Sequence, residues 1–139
     1  MKLSTLDRNA SGAVIAAAVL ACAAASHAAT PAELLASYSK DAGAAPSPER
    51  GQRFFTTNFG RDFGWSCSSC HGAVPTQLGK DDLTKKPIQP LAPAFNPARF
   101  TDRARVDYLF GLNCKDTVGR ACTAAEKADL LSWLLTLKP

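Results

Sequence analysis

Cys67-Ser68-Ser69-Cys70-His71 is the stretch on which the reading of this chain turns. Two cysteines with two residues between them fit one helical turn, so both thiols reach the vinyl groups along one edge of a haem. The histidine that follows is delivered to the iron from the same side. The motif therefore reads as covalent haem attachment through Cys67 and Cys70, with His71 the proximal iron ligand and one haem c as the cofactor. A thioredoxin-type redox pair would need a strand–helix setting, and no strand pattern precedes the motif. A zinc site would need two more ligands, which Cys114 and Cys122 would have to supply as thiolates; export, argued below, disfavours that.

Upstream, residues 1–29 have the pattern of a secretory signal: Lys2 and Arg8 are basic, Gly12 to Ala25 is apolar and alanine-rich, and small residues follow at Ser26 and Ala28. Cleavage after Ala28 or Ala29 is expected, which places the mature protein in the periplasm. Val19-Leu20-Ala21-Cys22 loosely matches a lipoprotein box, so lipid anchoring at Cys22 is the alternative. Residues 30–139, about 110 of them, suffice for one small domain. A covalently held haem would supply core that so short a chain cannot build from side chains alone.

Loss of Lys2, Asp7 and Arg8 takes the formal charge from +4 to +3. That mild balance, without a basic run interleaved with aromatics, gives no reason to expect nucleic acid binding. Of the five cysteines, Cys22 leaves with the leader and Cys67 and Cys70 go to haem. In an oxidising compartment the remaining pair, Cys114 and Cys122, is most simply a disulfide.

Everything regular in the sequence reads as helix. Pro31 to Ser39 is a short helical stretch, and Asp41 to Ala45 a linker. Ser47-Pro48-Glu49 starts a second helix, with a hydroxyl cap, a proline at the first position and an acid at the positive end of the dipole; it is expected to carry Gly51, Phe54 and Phe55 and to end at Gly60. Gly51 costs about 1 kcal/mol against alanine in a helix interior, which points to a second helix crossing there at close range.

Residues 72–100 hold Pro75, Pro87, Pro90, Pro93 and Pro97, a stiff extended wrap suited to covering a haem edge. Asp102 caps a helix whose stripe is Val106, Leu109 and Phe110, with Gly111 expected to stop it. Thr123 and Glu126 form a capping box that opens the last helix, where Leu130, Leu131, Leu134 and Leu137 make one stripe beside Trp133.

The second axial position is the informative gap. The only methionine is Met1, and His27, the only other histidine, lies in the leader. The donors left in the downstream region are Asn113, Lys115, Tyr108 and Cys114, or none. Lysine and tyrosine would have to lose a proton, and Cys114 is committed if bridged. Asn113 offers a neutral, hard amide oxygen, suited modestly to ferric iron and poorly to soft ferrous iron. It follows Gly111 and adjoins Cys114, though an asparagine near a helix C-terminus needs no such role.

Pro-Ala-Glu-Leu-Leu (31–35), Glu-Arg-Gly (49–51), Cys-Ser-Ser-Cys-His-Gly (67–72) and Pro-Leu-Ala-Pro (90–93) are joined by Arg-Phe-Thr-Asp-x-Ala-Arg-Val (99–106), Asn-Cys (113–114), Gly-Arg-x-Cys-Thr (119–123) and Glu-Lys-Ala-Asp-Leu-Leu-x-Trp-Leu (126–134). In these pieces the chain resembles the sphaeroides haem protein (SHP) family, oxygen-binding monohaem c-type cytochromes of the DUF1924 type. The resemblance implies an all-α, class I cytochrome c-like fold wrapped round one covalent haem. It also implies Asn113 as a sixth ligand lost on reduction, a distal Cys114–Cys122 disulfide, and a dihaem cytochrome c and a membrane cytochrome b as electron donors. Three functions follow as expectations: binding of O2, NO or CO at ferrous iron, terminal oxidase or reductase chemistry, or plain electron transfer. Lys80, Lys85 and Lys86 are either a docking face for an acidic partner, contacts to haem propionates, or a solvated loop.

Overall fold

The computed structural model describes residues 28–60 and 65–139; the leader reading, with Cys22 and His27, lies outside them. In chain order the described elements are α1 (Pro31–Ala42), α2 (Pro48–Thr56), α3 (Cys67–His71), β1 (Gly79–Lys80), β2 (Pro87–Ile88), α4 (Arg103–Thr117) and α5 (Ala124–Thr136). Among the described residues the fold is all-helical apart from one short antiparallel pairing, Gly79 with Ile88 and Lys80 with Pro87. That pairing was not expected. It bridges the two sides of a turn held by the Asp81 carboxylate, which accepts from Leu83 N, Thr84 N and Thr84 Oγ1.

α5 is the organising helix, and α1 and α2 both pack along it. Its stripe buries Leu130, Leu131, Trp133 and Leu134 against Leu34 and Tyr38 of α1 and Phe55 of α2, with Leu137 partly buried at the end. Each such side chain contributes about 1.5–3 kcal/mol when taken out of water. Phe55 and Trp133 sit with ring centroids 5.0 Å apart. The expected close crossing occurs at Gly51, where a Cβ would run into the Asp129 carbonyl of α5. Asp129 locks the crossing from its side: its carboxylate accepts from Ser47 N at 2.6 Å and from Arg50 Nε and Nη2 at 2.7 and 2.8 Å.

The expected caps are present. Ser47 accepts from Arg50 N, Asp102 from Arg105 N, and Thr123 and Glu126 close their reciprocal box. Three helix ends differ from expectation. α1 runs on to Ala42, with Gly43 as its left-handed cap. α2 stops at Thr56 rather than Gly60, because Thr56 and Thr57 turn their hydroxyls back onto the Gln52 and Arg53 carbonyls. α4 passes straight through Gly111 and continues to Thr117, so Asn113 lies inside a helix rather than after one. The stop falls instead at Val118 and Gly119, whose amides bond back to the Cys114 and Lys115 carbonyls, with Gly119 at φ +85°. A glycine in a helix interior costs only about 1 kcal/mol, and Cys114 beyond it is buried and bridged to Cys122.

α4 is held to the rest largely by side chains. The Tyr38 hydroxyl of α1 donates to Asp107 Oδ1 at 2.7 Å, and Lys127 Nζ of α5 donates to the same oxygen at 3.1 Å. Burial and the Asp107 carboxylate both push the Tyr38 phenol upward, keeping it a donor. Phe110 stands edge-on to Tyr38 at 6.1 Å, and Lys127 Nζ lies 5.2 Å from the Tyr38 ring centroid and 5.5 Å from that of Phe110.

Candidate haem site

α3 is the attachment motif itself, one helical turn as its spacing predicts. Ser66 precedes it, with its amide bonded to Ser69 Oγ at 3.0 Å. The wrap lies tight on this turn, since a Cβ on Gly79 would strike the Cys70 carbonyl. Cys67 and Cys70 are not bonded to each other. Burial, helped by Cys70 beside it, raises the Cys67 thiol to about 11. The zinc alternative loses two of its four ligands, because Cys114 and Cys122 form a disulfide with Cα atoms 5.6 Å apart.

A cavity of about 400 Å³ opens beside α3, within the usual size of cofactor pockets. Cys67, Cys70, His71 and Asn113 all line it. The sequence separates Asn113 from the motif; the fold returns it to the same space on α4. One face of α4 supplies the wall, with Val106, Leu109, Phe110, Asn113 and Thr117 following helical spacing. Phe54 and Phe55 of α2 and Leu130 of α5 close other sides. The wrap contributes Leu83, Ile88, Leu91 and Phe100 to the lining.

The donors suit an iron site. Burial pushes the His71 imidazole down to about 4, with the Arg99 guanidinium adding to the effect, so the ring is neutral and free to ligate. Its ring lies 6.2 Å from that of Phe55. The Asn113 amide makes no hydrogen bond among the described residues and is exposed within the cavity lining. The other candidate donors fall away: Tyr108 and Lys115 do not line the cavity, and Cys114 is bridged. Lys80, Lys85 and Lys86 are exposed and also outside the lining; Lys85 pairs with Asp82 at 3.0 Å.

Several lining residues had no signal in the sequence. Arg99 is held in the wall by bonds from Nε to the Pro90 carbonyl and from Nη2 to the Gln89 carbonyl. Asp81 and Asp116 also reach the lining, as does Asp102, which the sequence marks only as a helix cap. Nothing in the spacing of these residues marks them; only the path of the wrap and the full length of α4 bring them in.

A cavity with mostly apolar walls, two free thiols on one helical turn and a neutral imidazole fits a covalently attached haem, and the class this defines is the small helical c-type cytochrome. The comparisons narrow the class. Residues 41–134 match the family model described as a domain of unknown function, DUF1924. The cytochrome c-type protein SHP of Cereibacter sphaeroides is 47% identical over 123 residues, 87% of this chain and 95% of the relative. The structure of oxidised SHP, described as an oxygen-binding cytochrome c, superposes with a TM-score of 0.73 at 46% identity, covering 78% of this chain and 97% of that one. The solution structure of Methylophilus methylotrophus cytochrome c'', described for its insight into haem-ligand detachment, gives 0.71 at 36% identity, covering 78% and 94%. This chain belongs to the DUF1924 family, with SHP among its relatives. It is a monohaem c-type cytochrome carrying covalent haem c, with an all-α cytochrome fold.

Proposed function

We propose that the protein is an exported, periplasmic haem protein in which Asn113 is a redox-detachable ligand and the ferrous state binds a diatomic gas: O2, NO or CO. The observation that carries this is the presence of Asn113, with its amide unbonded among the described residues, in the same cavity as Cys67, Cys70 and His71. Cys67 and Cys70 would hold the haem by thioether bonds, and His71 would hold the iron from the motif side. When bound, the haem supplies an iron that changes oxidation state and accepts a small ligand.

The chain's own residues set the gate. Asn113 offers a hard amide oxygen suited modestly to ferric iron and poorly to ferrous iron, where soft ligands are preferred. Reduction of a bound haem would therefore weaken its hold, and withdrawal of the Asn113 side chain would free space in the cavity for a small ligand. The freed amide stays in the cavity, able to donate or accept a hydrogen bond. Val106, Leu109 and Phe110 give that space an apolar wall. A relative described as oxygen-binding, and another studied for haem-ligand detachment, support the reading. The electron donors we propose, by family resemblance, are a dihaem cytochrome c and a membrane cytochrome b. Plain electron transfer is the weaker reading, because a detachable ligand adds reorganisation without serving transfer.

The test is optical. Ferric and dithionite-reduced spectra are recorded with and without CO. Reduced protein that binds CO while ferric protein excludes small ligands supports the gate; a reduced protein that stays six-coordinate low-spin and ignores CO defeats it.

A second reading, turnover of O2, NO or a small nitrogen compound, has one observation in its favour. Asp116 lies on α4 one turn beyond Asn113, lines the cavity and makes no hydrogen bond among the described residues, a carboxylate available for proton transfer. Rapid return of the reduced protein to its ferric spectrum in air, slowed by Asp116→Asn, would favour turnover; slow return would favour binding.

A further inference from the structure

α4 is anchored on both sides of Gly111 and barely at all there. On one side, Asp107 receives Tyr38 and Lys127, and Phe110 packs on Tyr38. On the other, Cys114 is buried and bridged to Cys122. Between these anchors Gly111, Leu112 and Asn113 are all exposed. Gly111 has nothing within 4 Å of where a Cβ would sit, and it is not part of the cavity lining. Packing therefore does not require a glycine, in contrast to Gly51, where a side chain would collide with α5. A helical glycine without a protein packing partner lowers the cost of bending or opening the turn it sits in. Asn113 is on that turn.

Resting on the ligand role proposed for Asn113, we infer that Gly111 is a positioning residue, the compliant point at which α4 yields when Asn113 lets go. The disulfide fixes the far end of the segment, so the movement stays between residues 110 and 114. Replacing Gly111 with alanine stiffens this turn without touching the cavity. The helical state gains about five-fold over the opened one, the equivalent of about 1 kcal/mol.

The experiment compares wild-type, Gly111→Ala and Asn113→Ala holoproteins by hydrogen exchange at the backbone amides of residues 111–115, in ferric and dithionite-reduced states. Wild type should exchange faster at these amides on reduction, and Gly111→Ala should cut that increase by up to about five-fold while its ferric thermal midpoint rises. The apparent CO affinity of the reduced alanine variant should fall in the same direction. An equal increase in wild type and Gly111→Ala, or a lowered thermal midpoint, overturns the compliant role. An unchanged ferric spectrum in Asn113→Ala instead removes the ligand reading beneath it. A changed Asn113→Ala spectrum with no reduction-linked exchange in wild type removes the role of Gly111 alone, leaving side-chain rotation as the means of release.

Discussion

Cys114, the residue after Asn113, is bridged to Cys122 at the threshold of α5, with the two Cα atoms 5.6 Å apart. The last turn of α4 is thereby tied to the helix on which α1 and α2 pack. Closing so short a loop stabilises the fold by about 2.5 kcal/mol in the chain-entropy model. Replacing both cysteines with serine should cost roughly that much in urea unfolding of the holoprotein, and, if Asn113 is the ligand we propose, it should also alter the ferric spectrum, because the backbone beside Asn113 loosens. A stability loss with an untouched ferric spectrum would separate the bridge from the iron site.

Gly51 gives a prediction about the scaffold. A methyl group there meets the Asp129 carbonyl, and backbone cannot step aside as a flexible side chain would. Overpacking of this kind costs about 1–3 kcal/mol, so Gly51→Ala should lower the unfolding free energy by that amount and move the urea midpoint down accordingly. It should also disturb the Phe55–His71 contact, since Phe55 rides on the same helix. Unfolding in urea, followed by haem absorbance and far-ultraviolet dichroism together, checks both.

A pH dependence follows from Glu126. The Arg120 guanidinium bonded to it, at 2.6 and 2.8 Å, and the Thr123 amide hold its carboxyl below the ordinary value of 4.5, outweighing partial burial. A depressed carboxyl contributes stability that is complete above its unfolded value and is lost as pH falls through its folded value. Wild type should therefore lose stability below about pH 4.5 more steeply than Glu126→Gln, and the variant should be the less stable at pH 7. Thermal midpoints from pH 3 to pH 7 test this; parallel curves would contradict it.

Much of this architecture was legible because it rests on local chemistry. Ser47, Asp102 and Thr123 announce helix starts through single hydroxyl or carboxylate caps, and the α5 stripe follows from spacing alone. The haem motif and the leftover cysteine pair are equally local. What escaped depends on competition between distant terms. Gly111 reads as a stop, yet α4 continues because Cys114 is buried and bridged beyond it. Thr56 and Thr57 end α2 with hydroxyl bonds that nothing in a periodicity distinguishes from ordinary helix surface. Arg99 and Asp116 enter the cavity only through the path of the wrap and the true length of α4.

The central claim is that Asn113 holds ferric iron and releases it on reduction. Its most direct measurement is the ferric optical spectrum of Asn113→Ala beside wild type, followed by reduction and CO addition. The account predicts a changed ferric spectrum, with exogenous ligands admitted in the oxidised variant, and CO binding to the reduced variant at least as tight as in wild type. A ferric spectrum identical to wild type, with ligand binding unaltered in either oxidation state, would contradict it.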